Sequence, residues 1–515
     1  MAVTRTSRPE RPANDKGFAA DSVGVLSMVS LGLASAAPAY SITVTLGLVV
    51  LTVGNLAPAA LLIGFIPIVC TAFAFRELNR ALPDCGTNFV WITRTFGPWA
   101  GWIFGNWIPQ IATWIAMTVL AQVGASNLLA LAGWEQAPTT AVTLLGCLLI
   151  ALTTAVAYRG IEISAHVQTA MVGVQLIAMV AFGITAFTHT PAADFSPAWL
   201  NPFAFPDSTS FAEAALLCLF IYWGWDAALT VNEEARDRTR APGTAAVVST
   251  VVLLSTYLFT AVAAVSFAGT GTAGLGLGNE ANATDVFAAL GPALGGPIST
   301  LLRVAVCLSA VAALLTCAVA SARPTVSVAV HGALPAAFAR VHPRFRTPTV
   351  STVLTGAAGI GMLAVLTWAA PAFLGDAVLS VGLLICAYYS ATAFACVWYF
   401  RRELRSPMAL LSKCLLPLLG GLMMTAAFAR SVVDMIAPDY GSTSLNGVGG
   451  VFLLGIGAIV LGLPITALIR LYFPRFFREG RRSVAQTLVS DDSILRSGLA
   501  DPDEPPTHLT ESPTS

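Results

Sequence analysis

The feature that most limits what this chain can fold into is a series of apolar runs, about twelve of them, each roughly 20 residues long and nearly free of charge. A helix rises about 1.5 Å per residue, so each run matches the roughly 30 Å hydrocarbon core of a bilayer. Only 10% of the 515 residues are charged, against roughly 25% in a soluble domain. The chain therefore reads as an all-α polytopic membrane protein, because a helix satisfies its own backbone polar groups where lipid offers them nothing. The nine cysteines are scattered singly, mostly within apolar runs, and no CxxC spacing appears. They read as small buried hydrophobes, with no metal and no cofactor implied.

The formal net charge of zero hides a strong sidedness. All but two of the 27 Lys and Arg fall in the N-terminal segment, in alternate loops or in the C-terminal segment, the exceptions being Arg303 and Arg430. By the positive-inside rule both termini are cytoplasmic, which requires an even number of spans in the cytoplasmic (plasma) membrane. Residues 1–21 read as a polar cytoplasmic tail without a signal-peptide core. Residues 473–515, rich in Ser, Thr, Pro and Asp past Arg482, read as a disordered cytoplasmic tail.

Two spans carry helix-breaking chemistry at mid-depth. In "SLGLASAAPAYSI", Ser30 to Ile42, large aliphatic residues give way to Ser35, Ala36, Ala37 and Pro38. In "LCLFIYWGWDAALTVNEEA", Gly224 sits between Trp223 and Trp225, with Asp226 next. These are the first and sixth spans, so they hold corresponding positions in two five-helix halves, residues 22–187 and 210–400, followed by a pair of helices in 412–472. Matched interruptions of this kind point to a carrier built of inverted repeats, with its small-molecule site at the breaks. Unwound backbone persists in a membrane only where it faces a polar cavity. Pro38 suits the first position of a second half-helix, and the amides after it suit a carboxylate. The carbonyls that end the preceding half-helix suit an ammonium group.

"RELNRALPDCGTNFVWITRTFGPWAGW", Arg76 to Trp102, resembles the loop signature after the second span of the amino acid-polyamine-organocation superfamily of permeases. "GWDAALTVNEEARDRTRAPGTA", Gly224 to Ala245, resembles that family's sixth span and the loop beyond it. "SARPTVSVAVHGALPAAFARVHPRFRTP", Ser321 to Pro348, resembles the segment after its eighth. The resemblance implies a leucine-transporter-like fold: two inverted five-helix repeats plus two C-terminal helices, with helices 1 and 6 broken, working by alternating access. It also implies an amino acid permease. The family's first break is usually glycine-rich, whereas Ala36-Ala37-Pro38 stands here.

The substrate-binding residues expected at the first break are Ser35, Ala36, Ala37, Pro38, Ala39 and Tyr40, with Gln110 from the third span; carried over by position from the family, Phe220, Ile221, Tyr222, Trp223, Gly224 and Trp225 in the sixth would line the substrate. The aromatic members would form a gate and could hold an ammonium group by cation–π attraction. Proton-coupled members often carry a lysine in the fifth span; "HVQTAMVGVQLIAMV" offers Gln175 instead. Coupling to H+ or Na+ stays open, with Asp226 the remaining candidate for a proton. The reading the sequence favours for Asp226, however, is a cap on the second half of the sixth helix.

Asn106 and Gln110, beside the bending Pro109, either reach the cavity or hydrogen-bond a neighbouring helix. Arg303 is expected near the outer face. Glu233 and Glu234, with Arg236, Arg238 and Arg240, read as a cytoplasmic gate network or a solvated helix end. An amine, polyamine or organic cation is the alternative substrate. A channel would not need paired breaks, and a membrane-embedded enzyme would need clustered His, Cys or carboxylates at membrane depth that the sequence does not show.

Overall fold

The computed structural model describes residues 16–369, 374–437, 440–441 and 443–486. Arg5, Arg8 and Arg11, and the tail from 487 onward, lie outside the described residues. Ten helical runs among the described residues are long and apolar enough to cross a membrane. The first, Val25–Ala81, has 57 residues and would be about 85 Å long if straight. It instead folds back through a short 3-10 turn at Gly54–Leu56 and crosses twice. The sixth span is too short to count alone because it is broken, so the crossings come to twelve.

They are span 1a (Val25–Ala36) with 1b (Pro38–Val53), span 2 (Ala57–Ala81), span 3 (Pro98–Leu131), span 4 (Thr139–Arg159), span 5 (Ile161–Thr188) and span 6a (Ser208–Ile221) with 6b (Ala227–Thr230). Span 7 (Ala241–Ala268), span 8 (Gly296–Val330), span 9 (Val350–Ala369), span 10 (Leu374–Phe400), span 11 (Pro407–Asp434) and span 12 (Gly450–Tyr472) follow. The broken spans are central. Span 1a packs on spans 5, 7 and 8, and span 1b packs on spans 6a and 8.

The first break falls where the sequence places it. Ala37 adopts the left-handed conformation (φ 50°, ψ 62°), because a following proline disfavours the right-handed helical region. Pro38 then opens span 1b as its first residue, where its missing N–H costs no helical bond. In span 6 the helix stops at Ile221, turns through Tyr222 to Asp226, and resumes at Ala227.

Both described ends lie on one face. Lys16 contacts Asp84 of the loop after span 2, and Arg481 contacts Arg94 of the short helix Asn88–Phe96 that leads into span 3. Span 8 runs from the opposite face at Arg303, which pairs with Glu135 at 3.3 Å, to the termini's face at Arg323. On the opposite face residues 269–295 fold over span 1b. Thr43 Oγ1 donates to Asp285 at 2.7 Å, and Gly47 leaves no room between itself and the Ala283 backbone. Residues 474–486, at the start of the segment whose composition predicted disorder, form a helix of their own.

Candidate functional site

The two breaks touch each other. Gly224 has φ +111°, and a Cβ there would stand 2.7 Å from the Ser35 carbonyl carbon, so only glycine lets the unwound stretch of span 6 lie against span 1. Beside this contact is a cavity of about 70 Å³, room for roughly five waters. It is lined by spans 1a, 3, 6, 8 and 10 and by Thr87 and Asn88 at the head of the short helix. The positions contributed by span 8, Cys317 to Pro324, place it in the half of the molecule nearer the termini.

Four freed or redirected backbone features meet there. Span 3 contains a π turn at Ile103–Trp107, followed by Pro109. Pro109 has no N–H for the Gly105 carbonyl four residues earlier, and both residues line the cavity. Pro324 in span 8 stands in the same relation to Ala320, and both of these line it too. With the breaks in spans 1 and 6, four helices thus surrender regular bonding around one small space. Local departures of this kind gather at functional sites.

Asp226 supplies the only charged side chain among the described lining residues. The expected cap does not form: Asp226 is itself helical in conformation (φ −67°, ψ −17°) and makes no side-chain cap bond. A capping residue needs an extended backbone to turn its oxygen toward the following amides. The carboxylate instead faces the cavity and accepts from Tyr388 Oη at 3.2 Å, and that hydroxyl accepts from Trp223 Nε1 at 2.6 Å. Tyr388 was not legible as a site residue. Its one sequence signal is a polar aromatic pair, Tyr388-Tyr389, near the middle of an apolar span.

Of the expected substrate residues, the structure brings Ser35, Gln110, Trp223 and Gly224 to the cavity. Gln110 does both things foreseen for it, lining the cavity while Nε2 donates to Thr325 Oγ1 at 2.7 Å and to Ser321 O at 3.0 Å. Asn106 lines it as well. Ala36, Ala37, Pro38, Ala39 and Tyr40 are buried outside the lining. At this break Ser41 Oγ donates to Ala36 O at 2.7 Å and the Tyr40 amide donates to Ser309 Oγ at 3.1 Å, while the buried Tyr40 hydroxyl finds no hydrogen-bond partner among the described residues.

Phe220, Ile221, Tyr222 and Trp225 are likewise packed away from the cavity. Tyr222 Oη donates to Leu61 O at 3.1 Å. Trp225 lies edge-on to Phe75 and beside Tyr389, with ring centroids 5.1 and 5.4 Å away. Gln175 is fully buried in span 5.

On the termini's face the paired acids of the loop after span 6 are buried and find distant partners. Lys16 Nζ lies 2.6 Å from Glu233 and 2.8 Å from Asp84, and Arg323 grips Glu234 at 2.6 and 3.0 Å. Arg236, Arg238 and Arg240, which the sequence groups with these acids, are exposed. Burial alone would lower the Lys16 pKa, but Asp84, Cys85 and Glu233 around it raise it well above the usual lysine value. Burial would raise Asp84, yet the Lys16 ammonium and His331 hold it well below the usual carboxylate range. For Glu234 burial prevails over Arg323 and its pKa is raised. Asp84, Cys85 and Glu233 bring three potential metal-ligand atoms within 4.8 Å of one another, with the Lys16 ammonium already seated among them.

Comparison with known proteins agrees with this architecture. The Amino acid permease family profile matches residues 23–456. An uncharacterised transporter of Mycobacterium tuberculosis is 26% identical over 354 residues, 65% of this chain and 72% of that protein. The methylthioribose transporter of Bacillus subtilis is 25% identical over 59% of this chain and 67% of its own. The branched-chain amino acid permease of Lactococcus lactis is 24% identical over 40% of this chain and 45% of its own. With most of its length matched, and with twelve spans, two touching breaks and a cavity beside them that holds one carboxylate, the chain belongs to the amino acid permease family.

Proposed function

We propose that the protein is a secondary transporter that moves a small amino-bearing solute, first of all an amino acid, across the cytoplasmic membrane by alternating access. Its ammonium group would be held by Asp226 and Tyr388. The observation that carries this reading is the lone carboxylate among the described lining residues of a cavity otherwise lined by neutral polar and apolar groups. The carbonyls of Gly105 and Ala320 offer the ammonium further acceptors, and Ser35 and Asn106 offer neutral donors to a carboxylate. The two halves, 22–187 and 210–400, would rock about the paired breaks. A coupled proton, if one is carried, belongs on Asp226. An amine lacking a carboxylate is the second reading, favoured because no Lys or Arg lies among the described lining residues.

Purified protein in proteoliposomes should show saturable counterflow of labelled amino acids or amines. Asp226→Asn removes a charged hydrogen-bond partner worth about 1.5–3 kcal/mol, so apparent affinity for an amino-bearing solute should fall roughly 10- to 100-fold. Exchange of a neutral thiosugar by wild type and variant alike, with no amino compound exchanged, would overturn the reading. So would conductance without counterflow.

A further inference from the structure

We propose that residues 474–486 form an interfacial helix whose arginines engage anionic lipid headgroups, and that this contact steadies the wall of the transport cavity. The helix starts at Pro474, one residue after span 12 ends at Tyr472, so it is tethered at the membrane boundary. Its sequence, PRFFREGRRSVAQ, is two-sided. Phe476, 2% exposed, stacks on Phe89 with centroids 5.6 Å apart. Phe477 meets Trp99 edge-on at 5.5 Å, and Gly480 lies against Pro98.

The other side is basic and open. Arg475 has an 89% exposed side chain, Arg478 is exposed, and the one acid, Glu479, is already paired with Arg475 at 3.5 Å. Around the helix Phe96, Trp99, Leu471 and Tyr472 are also exposed. Aromatic and aliphatic side chains beside arginines at one level mark the place where acyl chains give way to headgroups. An acidic soluble partner would leave those apolar side chains in water, whereas a bilayer with anionic lipid satisfies both sets at once.

The docking side leads to the cavity. Arg94 Nη1 donates to Arg481 O at 3.0 Å, and Arg481 Nη2 donates to Thr95 O at 3.2 Å. Phe89 and Arg94 belong to the short helix whose first residue, Asn88, lines the cavity. Gly105 in the π turn of span 3 backs directly onto Asn88 and Phe89. A helix pinned at the headgroups therefore braces one wall of the site.

The test uses full-length protein and the double variant Arg475→Gln/Arg478→Gln, whose exposed side chains leave packing intact. In lipid nanodiscs of phosphatidylcholine with about 30% phosphatidylglycerol, wild type should unfold several degrees higher than in phosphatidylcholine alone, and the variant should lose that difference. In vesicles of the same compositions, counterflow by wild type should be about threefold faster with the anionic lipid, and the ratio for the variant should fall to about one. Raising salt should erase both effects in parallel. Equal stability of wild type in the two lipids, or the same stabilisation by inorganic phosphate or an acidic peptide, would overturn lipid recognition. A lipid-dependent stability without a lipid-dependent rate would overturn the link to the cavity. The stability arm needs no substrate, so it stands or falls separately from the transport reading.

Discussion

Gly224 and Ala37 carry the conformational cost of the two breaks, and they carry it differently. Ala37 accepts a left-handed conformation at a cost of about 1–2 kcal/mol, which Pro38 makes acceptable by disfavouring the alternative. Gly224 has no such substitute: it needs both a positive φ and an empty Cβ position against Ser35 and Ala36. Gly224→Ala should therefore cost about 1–3 kcal/mol from backbone strain alone, and it should separate the breaks. The expected result is a lower melting temperature in a thermal-shift assay together with loss of counterflow. The residue itself was visible in the sequence as a glycine between two tryptophans. Its neighbour Ser35 and the reason for its smallness were not, because they lie almost 190 positions away along the chain.

At the scale of elements, the cavity is made by helices that fail to be regular. The break in span 1 is legible in the sequence, since Ala-Ala-Pro within a membrane-length run has a direct local meaning. Spans 3 and 8 are harder, because a proline in a membrane helix is common and by itself says only that the helix bends. What matters is that Pro109 and Pro324 withhold an N–H from the carbonyls of Gly105 and Ala320, and that all four residues line the same space. Pro109→Ala and Pro324→Ala restore an N–H to each helix, so each should leave the melting temperature equal or higher while lowering substrate affinity. Ligand-induced thermal stabilisation, compared with that of wild type, checks this. If both variants bind substrate normally, the freed carbonyls have no part in the site. The C-terminal helix was missed for a related reason: its polar composition resembles a tail, and its order comes from Phe476 and Phe477 finding Phe89 and Trp99.

Across the whole molecule, the termini's face is tied together by buried ions. Val23 pairs with Ala235 as a single bridge, which fastens the start of span 1 to the end of span 6, and the Lys16 and Arg323 pairs lie alongside. Asp84 has a lowered pKa, so its contribution is present above the usual carboxylate range and is lost only as pH falls through the lowered value. Lys16 has a raised pKa, so its contribution is complete below the usual lysine value and is lost as pH rises through the raised one. Glu234, raised by burial, works the other way and favours the folded form as pH falls. Lys16→Met should therefore cost about 3–5 kcal/mol throughout the range from about pH 5 to 9, because it leaves Asp84 and Glu233 without the cation they share. Adding Asp84→Asn should recover part of the loss, because it removes one of the two stranded carboxylates. Melting temperatures of the three proteins across pH check this, and an additive double variant would show that the pair is not coupled.

The sequence by itself determined the membrane class, the number of crossings, the sidedness of charge and the two breaks, because each follows from hydropathy, charge or backbone chemistry over a few adjacent residues. Only the tertiary structure decided which residues share the cavity, that Asp226 faces it with Tyr388, and that Glu233 and Glu234 answer to Lys16 and Arg323. Those depend on the rotation and register of helices remote in sequence, which the near-uniform apolarity of a membrane span leaves unmarked.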